Sequence, residues 1–251
     1  DPGNSRFSAE QVSRVAYGTR PDVLGDYQAS THLQGELLGV MLDLIIRDAT
    51  SNRRSMDDVM RLMLDRFGGA HGFSTADVQQ AVERVCGCSV QRFFDAHIRG
   101  AQPIAFGRYL ALAGLSVSVA RVPVLRDGKP APDFRIRGWN APGDSALSLI
   151  LWDRSSAWGR AGLHSGDRLV SINGATPTTW GALRQIVSAL QIGDTARLVV
   201  RQKPSGATRT VEVPIAGYDQ PRVSITHVSN PTPRQERLLS AWLATATAHP
   251  N

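Results

Sequence analysis

The hydrophobic period of the chain changes once, near residue 105, and that change limits the fold more than any other feature of its 251 residues. Upstream, apolar side chains recur at the 3.6-residue spacing of helices; downstream they fall in short β-prone runs between turn residues. Leu33, Leu37, Leu38, Met41, Leu42, Leu44 and Ile45 predict a helix over 30–48 with a broad buried face. Ser55 precedes Met56-Asp57-Asp58, a cap followed by acids. Val59, Leu62, Met63 and Phe67 carry that second helix to Gly68-Gly69. Ser74 or Thr75 opens a third, striped by Val78, Val82 and Val85 and ended by Gly87. Ser89 opens a fourth, with Phe93, Phe94 and Ile98 buried and Gly100 at its close. The first hundred residues therefore read as a compact helical array.

Beyond 105 the candidate strands are Ser116–Val122, Phe134–Gly138, Ala146–Trp152, Arg168–Ile172, Thr195–Arg201 and Arg209–Ile215. Turn signals separate them at Asp127-Gly128, Asn140-Ala141-Pro142-Gly143, Asn173-Gly174 and Pro204-Ser205-Gly206. Two helices interrupt the strands, a short one at Ser156–Ala161 and a longer one from Thr179 to Leu190. From Tyr218 the chain reads as a Pro-broken tail. Thr232-Pro233 then caps a last helix striped by Leu238, Leu239, Trp242 and Leu243. A helix this short is marginal alone, so it is expected to dock on one of the domains. The fold class is α+β: an all-helical lobe over 1–104, a partly open β-barrel with two helices over 105–217, and a tail with a terminal helix over 218–251. Gly100, Pro103 and Gly107 cluster at the join, which predicts separable units meeting near 100–114.

Composition excludes several classes. The net charge is +6, and all but two of the 28 Lys and Arg residues are Arg. The longest basic run is only Arg53-Arg54, and the other arginines lie among acidic neighbours, which reads as solvated surface rather than a nucleic-acid face. The strongest apolar stretch, Leu37 to Ile46, is broken by Asp43 and too short to span a membrane. Cys86 and Cys88 are one residue apart, too close for an easy disulfide and too few for a metal site, and are read as small side chains near a helix end. The chain starts at Asp1 with no signal-like segment, which reads as a mature or excised fragment.

The most specific run is Ser155-Ser156-Ala157-Trp158-Gly159-Arg160-Ala161-Gly162-Leu163-His164-Ser165-Gly166-Asp167-Arg168-Leu169-Val170-Ser171-Ile172-Asn173-Gly174. Gly162 suits a helix exit at positive φ, Gly166-Asp167 a tight turn, and Leu169 with Ile172 a buried strand face. The run resembles the PDZ signature of bacterial proteases, and Trp180-Gly181-Ala182-Leu183-Arg184 through Leu198-Val199-Val200-Arg201 resembles the second PDZ helix and the following strand. The resemblance implies a domain that takes up peptides or protein C termini by strand addition, with the peptide carboxylate held by loop amides. By the same resemblance, Gly114, Leu115, Ser116 and Val117 fill the slot of the carboxylate loop and the strand after it. Leu183 and Val187, one turn apart, either wall the groove or are ordinary core, and Gly114-Leu115 is otherwise a plain helix-to-strand turn.

The helical half carries a second resemblance. Thr31-His32-Leu33-Gln34-Gly35-Glu36-Leu37-Leu38 through Arg47, then Ser55-Met56-Asp57-Asp58-Val59-Met60-Arg61, then Gly87, Phe93-Phe94, Gly100 and Tyr109 to Gly114-Leu115, resemble in order the PDZ-bearing glycyl aminopeptidases. These are zinc metallopeptidases with a thermolysin-like catalytic lobe that release small N-terminal residues such as Gly or Ala. Such chemistry needs His-Glu-x-x-His on one helix, so that both imidazoles meet one metal while the Glu activates water. No His-Glu pair occurs in the sequence. The chain therefore reads as the C-terminal portion of such an enzyme, inactive by itself and holding no cofactor, with zinc expected in the full-length protein. The family's tandem Tyr falls on Thr31 and His32 and its Lys on Gln34, so an oxyanion donor at that place would be His32. His32 with Glu36 is otherwise a surface pair on one helix face. The alternative from another class is a non-enzymatic PDZ scaffold that binds protein C termini.

Overall fold

The computed structural model describes residues 6–16, 31–69, 72–140, 143–202 and 205–247. Ala141 and Pro142 of one expected turn, Pro204 of another, His71, His249 and the side chain of Thr31 lie outside the described residues. The chain divides into two compact units. One holds Asn4–Ser13, Ser30–Ala120 and Val223–Asn251; the other is built mainly of Arg121–Arg222.

The helical unit contains most of α1 (Ala9–Ala16) and all of α2 (Thr31–Thr50), α3 (Met56–Phe67), α4 (Thr75–Cys86), α5 (Gln91–Phe94), α6 (Phe106–Leu110) and α9 (Pro233–Thr247). Ser55 and Ser74 each close a capping box, accepting from a first-turn amide while Asp58 and Asp77 reach back to the cap amides. Asp43 joins α2 to α3, pairing with Arg47 at 2.8 Å and accepting from the Met56 amide at 2.7 Å. Met41, Leu44, Ile46, Val59, Val82, Phe94 and Leu238 form the centre of one core. Leu238 brings α9 into that core, which settles where the terminal helix docks.

Three features depart from the sequence reading. Ser89 stands two residues before α5, whose capping residue is Val90, though its hydroxyl accepts from the Gln91 amide at 3.4 Å, and the helix continues as a π-turn over Asp95–Arg99 that ends at Gly100. Cys86 and Cys88 are joined as a disulfide. Gly87 adopts the left-handed conformation (φ 61°) and folds the chain back, leaving the two Cα atoms 5.1 Å apart, within bridging range. Residues 105–120 belong to the helical unit, because α6 buries Tyr109 and Leu110 in its core, so the division falls at Ala120–Arg121 rather than at 104–105.

The other unit holds an antiparallel five-stranded sheet in the order β4 (Ile136–Trp139), β5 (Ser148–Leu151), β6 (Arg168–Ile172), β7 (Thr195–Arg201) and β8 (Thr208–Pro214). Ile136 lies opposite Leu151, and Leu198 opposite Val211. The sheet is open, with β4 and β8 at its edges. Short α7 (Ala157–Arg160) links β5 to β6, and α8 (Trp180–Ser188) links β6 to β7. Trp158, Leu163, Ile172, Leu183 and Val200 pack at the centre of a second core. A small hairpin, β2 (Leu125–Arg126) with β3 (Lys129–Pro130), turns at Asp127-Gly128, both at positive φ.

Two further strands form a sheet of their own. β1 (Leu115–Pro123) pairs with β9 (Asp219–His227). β9 replaces the expected Pro-broken tail. Val223, Ser224, Ile225 and Thr226 alternate as a strand should, and Pro221 is tolerated because a two-stranded ribbon leaves one side of each strand unpaired.

Candidate functional site

In the β unit, β4 offers a free strand edge. Its inner side pairs with β5: Trp152 N–H reaches the Arg135 carbonyl at 3.5 Å, and Arg137 lies opposite Ile150. Antiparallel ladders alternate, so the backbone groups of Ile136 and Gly138 turn to the other side. The Ile136 amide donates back to the Phe134 carbonyl at 2.8 Å, which leaves the Ile136 carbonyl and both backbone groups of Gly138 at the edge. α8 packs beside this strand, and the Asn140 side-chain amide donates to the Thr178 carbonyl at 3.0 Å. Gly138 packs against Leu147, whose carbons would lie 2.8 Å from any added Cβ.

A buried carboxylate fixes the loop entering β4. Asp133 is 2% exposed and accepts from the Ala157 amide at 3.0 Å and from Arg135 Nε at 2.9 Å, with a further bond to the Arg135 amide. Burial pushes its carboxyl up, but the bonds from Arg135 and the Ala157 amide outweigh that and hold it below the usual value of 3.8. Arg135 also pairs with Asp153 at 2.8 Å and stacks over the Tyr218 ring, so its guanidinium is fully engaged. The Asp133 carbonyl takes the Trp158 indole N–H at 2.7 Å. Asp167 works similarly at the next turn, where its carboxylate accepts from the His164 amide at 3.1 Å. Gly162 (φ 91°) and Gly166 (φ 93°) sit in the conformations the sequence required of them.

The residues expected to form one peptide groove are divided between the two units. Gly114 ends a 3₁₀ turn at Ala111–Ala113 in the helical unit, its amide donating to the Ala111 carbonyl and its carbonyl accepting from Val228. An added Cβ there would lie 3.2 Å from the Gln235 side chain. Leu115 and Val117 pack against the helical core, and Ser116 is exposed on β1. That strand is outside the five-stranded sheet and pairs instead with β9. Leu183 (0% exposed) and Val187 (3%) belong to the β-unit core, the ordinary-core alternative. His32 is exposed in the first turn of α2, as is Glu36 one turn on. The sequence reading did not single out Ile136 and Gly138, whose backbone groups lie on that edge. Their signal was Phe134–Gly138 as a candidate strand, followed by Ala146–Trp152 and then the Ser155–Gly174 run.

Among the described residues no group of three or more His, Cys, Asp or Glu side chains is placed to hold a metal ion. No helix of the described residues is long and apolar enough to cross a membrane.

No family model matches the sequence, and no curated protein does. Among solved structures, the chain is similar to an aminopeptidase N family protein from Idiomarina loihiensis, at 17% identity and a TM-score of 0.55 over 94% of this chain. The two share a fold. The match spans 40% of that protein's length. A second match is the HtrA3 PDZ domain bound to a phage-derived ligand, at 17% identity, a TM-score of 0.26, and 44% coverage of this chain against 92% of that one.

Proposed function

We propose that this chain is the C-terminal portion of a zinc-dependent aminopeptidase releasing small N-terminal residues, and that its β unit is a PDZ-type module receiving an extended peptide along β4. What supports the enzymatic reading is a single coincidence. The residue pattern resembles PDZ-bearing glycyl aminopeptidases from the first long helix through the sheet, and the same stretch takes the fold of part of an aminopeptidase N family protein. Among the described residues no donor set fits a catalytic zinc, and the sequence has no His-Glu pair; on this reading the metal would be held by residues outside these 251, and no catalytic step is assigned to this chain.

The test is to express the complete gene product and assay Gly- and Ala-anilide hydrolysis alongside zinc content. Hydrolysis with about one zinc per chain is expected; a complete product lacking His-Glu-x-x-His, or inactive when zinc-loaded, overturns the reading. The peptide site has its own test. A C-terminal peptide with an apolar last residue, titrated into the isotope-labelled chain, is expected to shift the amides of Ile136–Trp139. Shifts confined to Leu115–Pro123 would place the peptide elsewhere.

A further inference from the structure

The helical unit contains a cleft that the peptidase reading leaves unused. It has a volume of about 650 Å³ and opens between the α5 segment and α6. Phe93 and Tyr109 form an aromatic surface in it, edge to face at 5.5 Å, and His97 meets Phe93 at 5.2 Å. The π-turn over Asp95–Arg99 carries His97 to this place; such widened turns cluster at functional sites. Gly100 permits the turn, because a Cβ there would lie 2.5 Å from the Asp95 carbonyl oxygen.

His97 is 9% exposed and bonded on both nitrogens. Nδ1 lies 2.9 Å from the Gln102 carbonyl, which only accepts, so Nδ1 carries a proton; Nε2 shares a hydrogen bond with the Tyr109 hydroxyl at 3.3 Å. Burial raises the Tyr109 hydroxyl above its ordinary value, so it stays a phenol. The pair is therefore a polar floor with both of its side chains hydrogen-bonded. The charge of the cleft comes from Arg92 and Arg108, both exposed, with Arg108 lying over the Tyr109 ring at 6.0 Å. No Asp or Glu lines the cleft, and neither arginine pairs with a carboxylate among the described residues. Arg99, on the adjoining π-turn, is by contrast paired with Asp95 at 2.9 Å.

We propose that this cleft binds a small organic carboxylate with an aromatic or apolar body, Arg92 and Arg108 taking the carboxylate while Phe93 and Tyr109 hold the body. Guanidinium groups suit the planar, two-oxygen geometry of a carboxylate. A concave, partly apolar site with a few convergent polar groups is what a molecule of this size requires. The aromatic floor selects for an apolar body, which inorganic phosphate lacks.

The probes are benzoylglycine, its uncharged amide, phenyl phosphate and inorganic phosphate, titrated calorimetrically into the full chain. Benzoylglycine is expected to bind at least about tenfold more tightly than the amide, and Arg92→Gln or Arg108→Gln to weaken it by about tenfold each. Both arginines are exposed, so the variants should keep the wild-type thermal melt, which is recorded in parallel. Equal binding of acid and amide, or full binding by the Arg92→Gln/Arg108→Gln double variant, overturns the proposal. So does the absence of benzoylglycine binding at about 10 mM in folded protein. Phenyl phosphate binding without benzoylglycine binding would equally overturn it.

Discussion

The two units place the carboxylates of their turns and caps differently. In the β unit, carboxylates go inside: Asp133 and Asp167 are each 2% exposed and satisfy backbone amides at the turns that shape the sheet. In the helical unit, the capping acids Asp58 and Asp77 remain near the surface and close helices whose stability comes from an apolar core. The difference reflects backbone need. A helix satisfies its own amides except at its ends, whereas the turns of a small open sheet leave amides that only a side chain can reach. Damage to one polar group should therefore cost the β unit far more.

That contrast can be broken by measurement. Four of the five tryptophans, Trp139, Trp152, Trp158 and Trp180, lie in Arg121–Arg222, so fluorescence follows the β unit while far-ultraviolet circular dichroism follows mainly the helices. Asp133→Ala, which strips the Ala157 amide of its acceptor and leaves Arg135 only its pair with Asp153, should lower the fluorescence-detected stability by about 3–5 kcal/mol and leave the helical transition in place. Equal losses by both probes would mean that the units do not unfold independently. Leu238→Ala should do the converse, removing about 2–5 kcal/mol from the helical transition alone.

Acid comes next. Asp133 titrates below 3.8 when folded, so its contribution is complete above the unfolded value and disappears as pH falls through the depressed one. Asp77 and Asp95 are also lowered, chiefly by hydrogen bonds from Ser74 and Gln91, but they lie at the surface. Below about pH 4 the fluorescence transition should therefore fall faster than the dichroism transition; the reverse order would contradict the contrast. The smallest effect is expected of Ser55→Ala and Ser74→Ala, about 1 kcal/mol each and confined to the helical transition.

Legibility followed the same division. The caps at Ser55 and Ser74, the strands Arg168–Ile172 and Thr195–Arg201, and the positive-φ glycines Gly162 and Gly166 were all readable, because each is decided within a few residues. What escaped depends on partners far along the chain. β9 is a strand because β1 lies beside it, a pairing about a hundred residues away that alternation at Val223–Thr226 only hints at. Gly114–Val117 was assigned to the wrong sheet for the same reason: a Gly before a β-prone run does not reveal which strand the run will join. The His97–Tyr109 pair needed the π-turn to bring it about, and no local periodicity announces that turn.

The β1–β9 pairing also orders events during synthesis. The chain leaves the helical unit at Ala120 and returns at Val223, so the β unit is complete before the segment carrying Leu238 has been translated. The nascent β unit can reach its native state as soon as it clears the ribosome, while the helices already made wait with an open core for α9. During that interval the exposed apolar face of the helices is what a chaperone would see, and a pause in translation between residues 223 and 238 would prolong it.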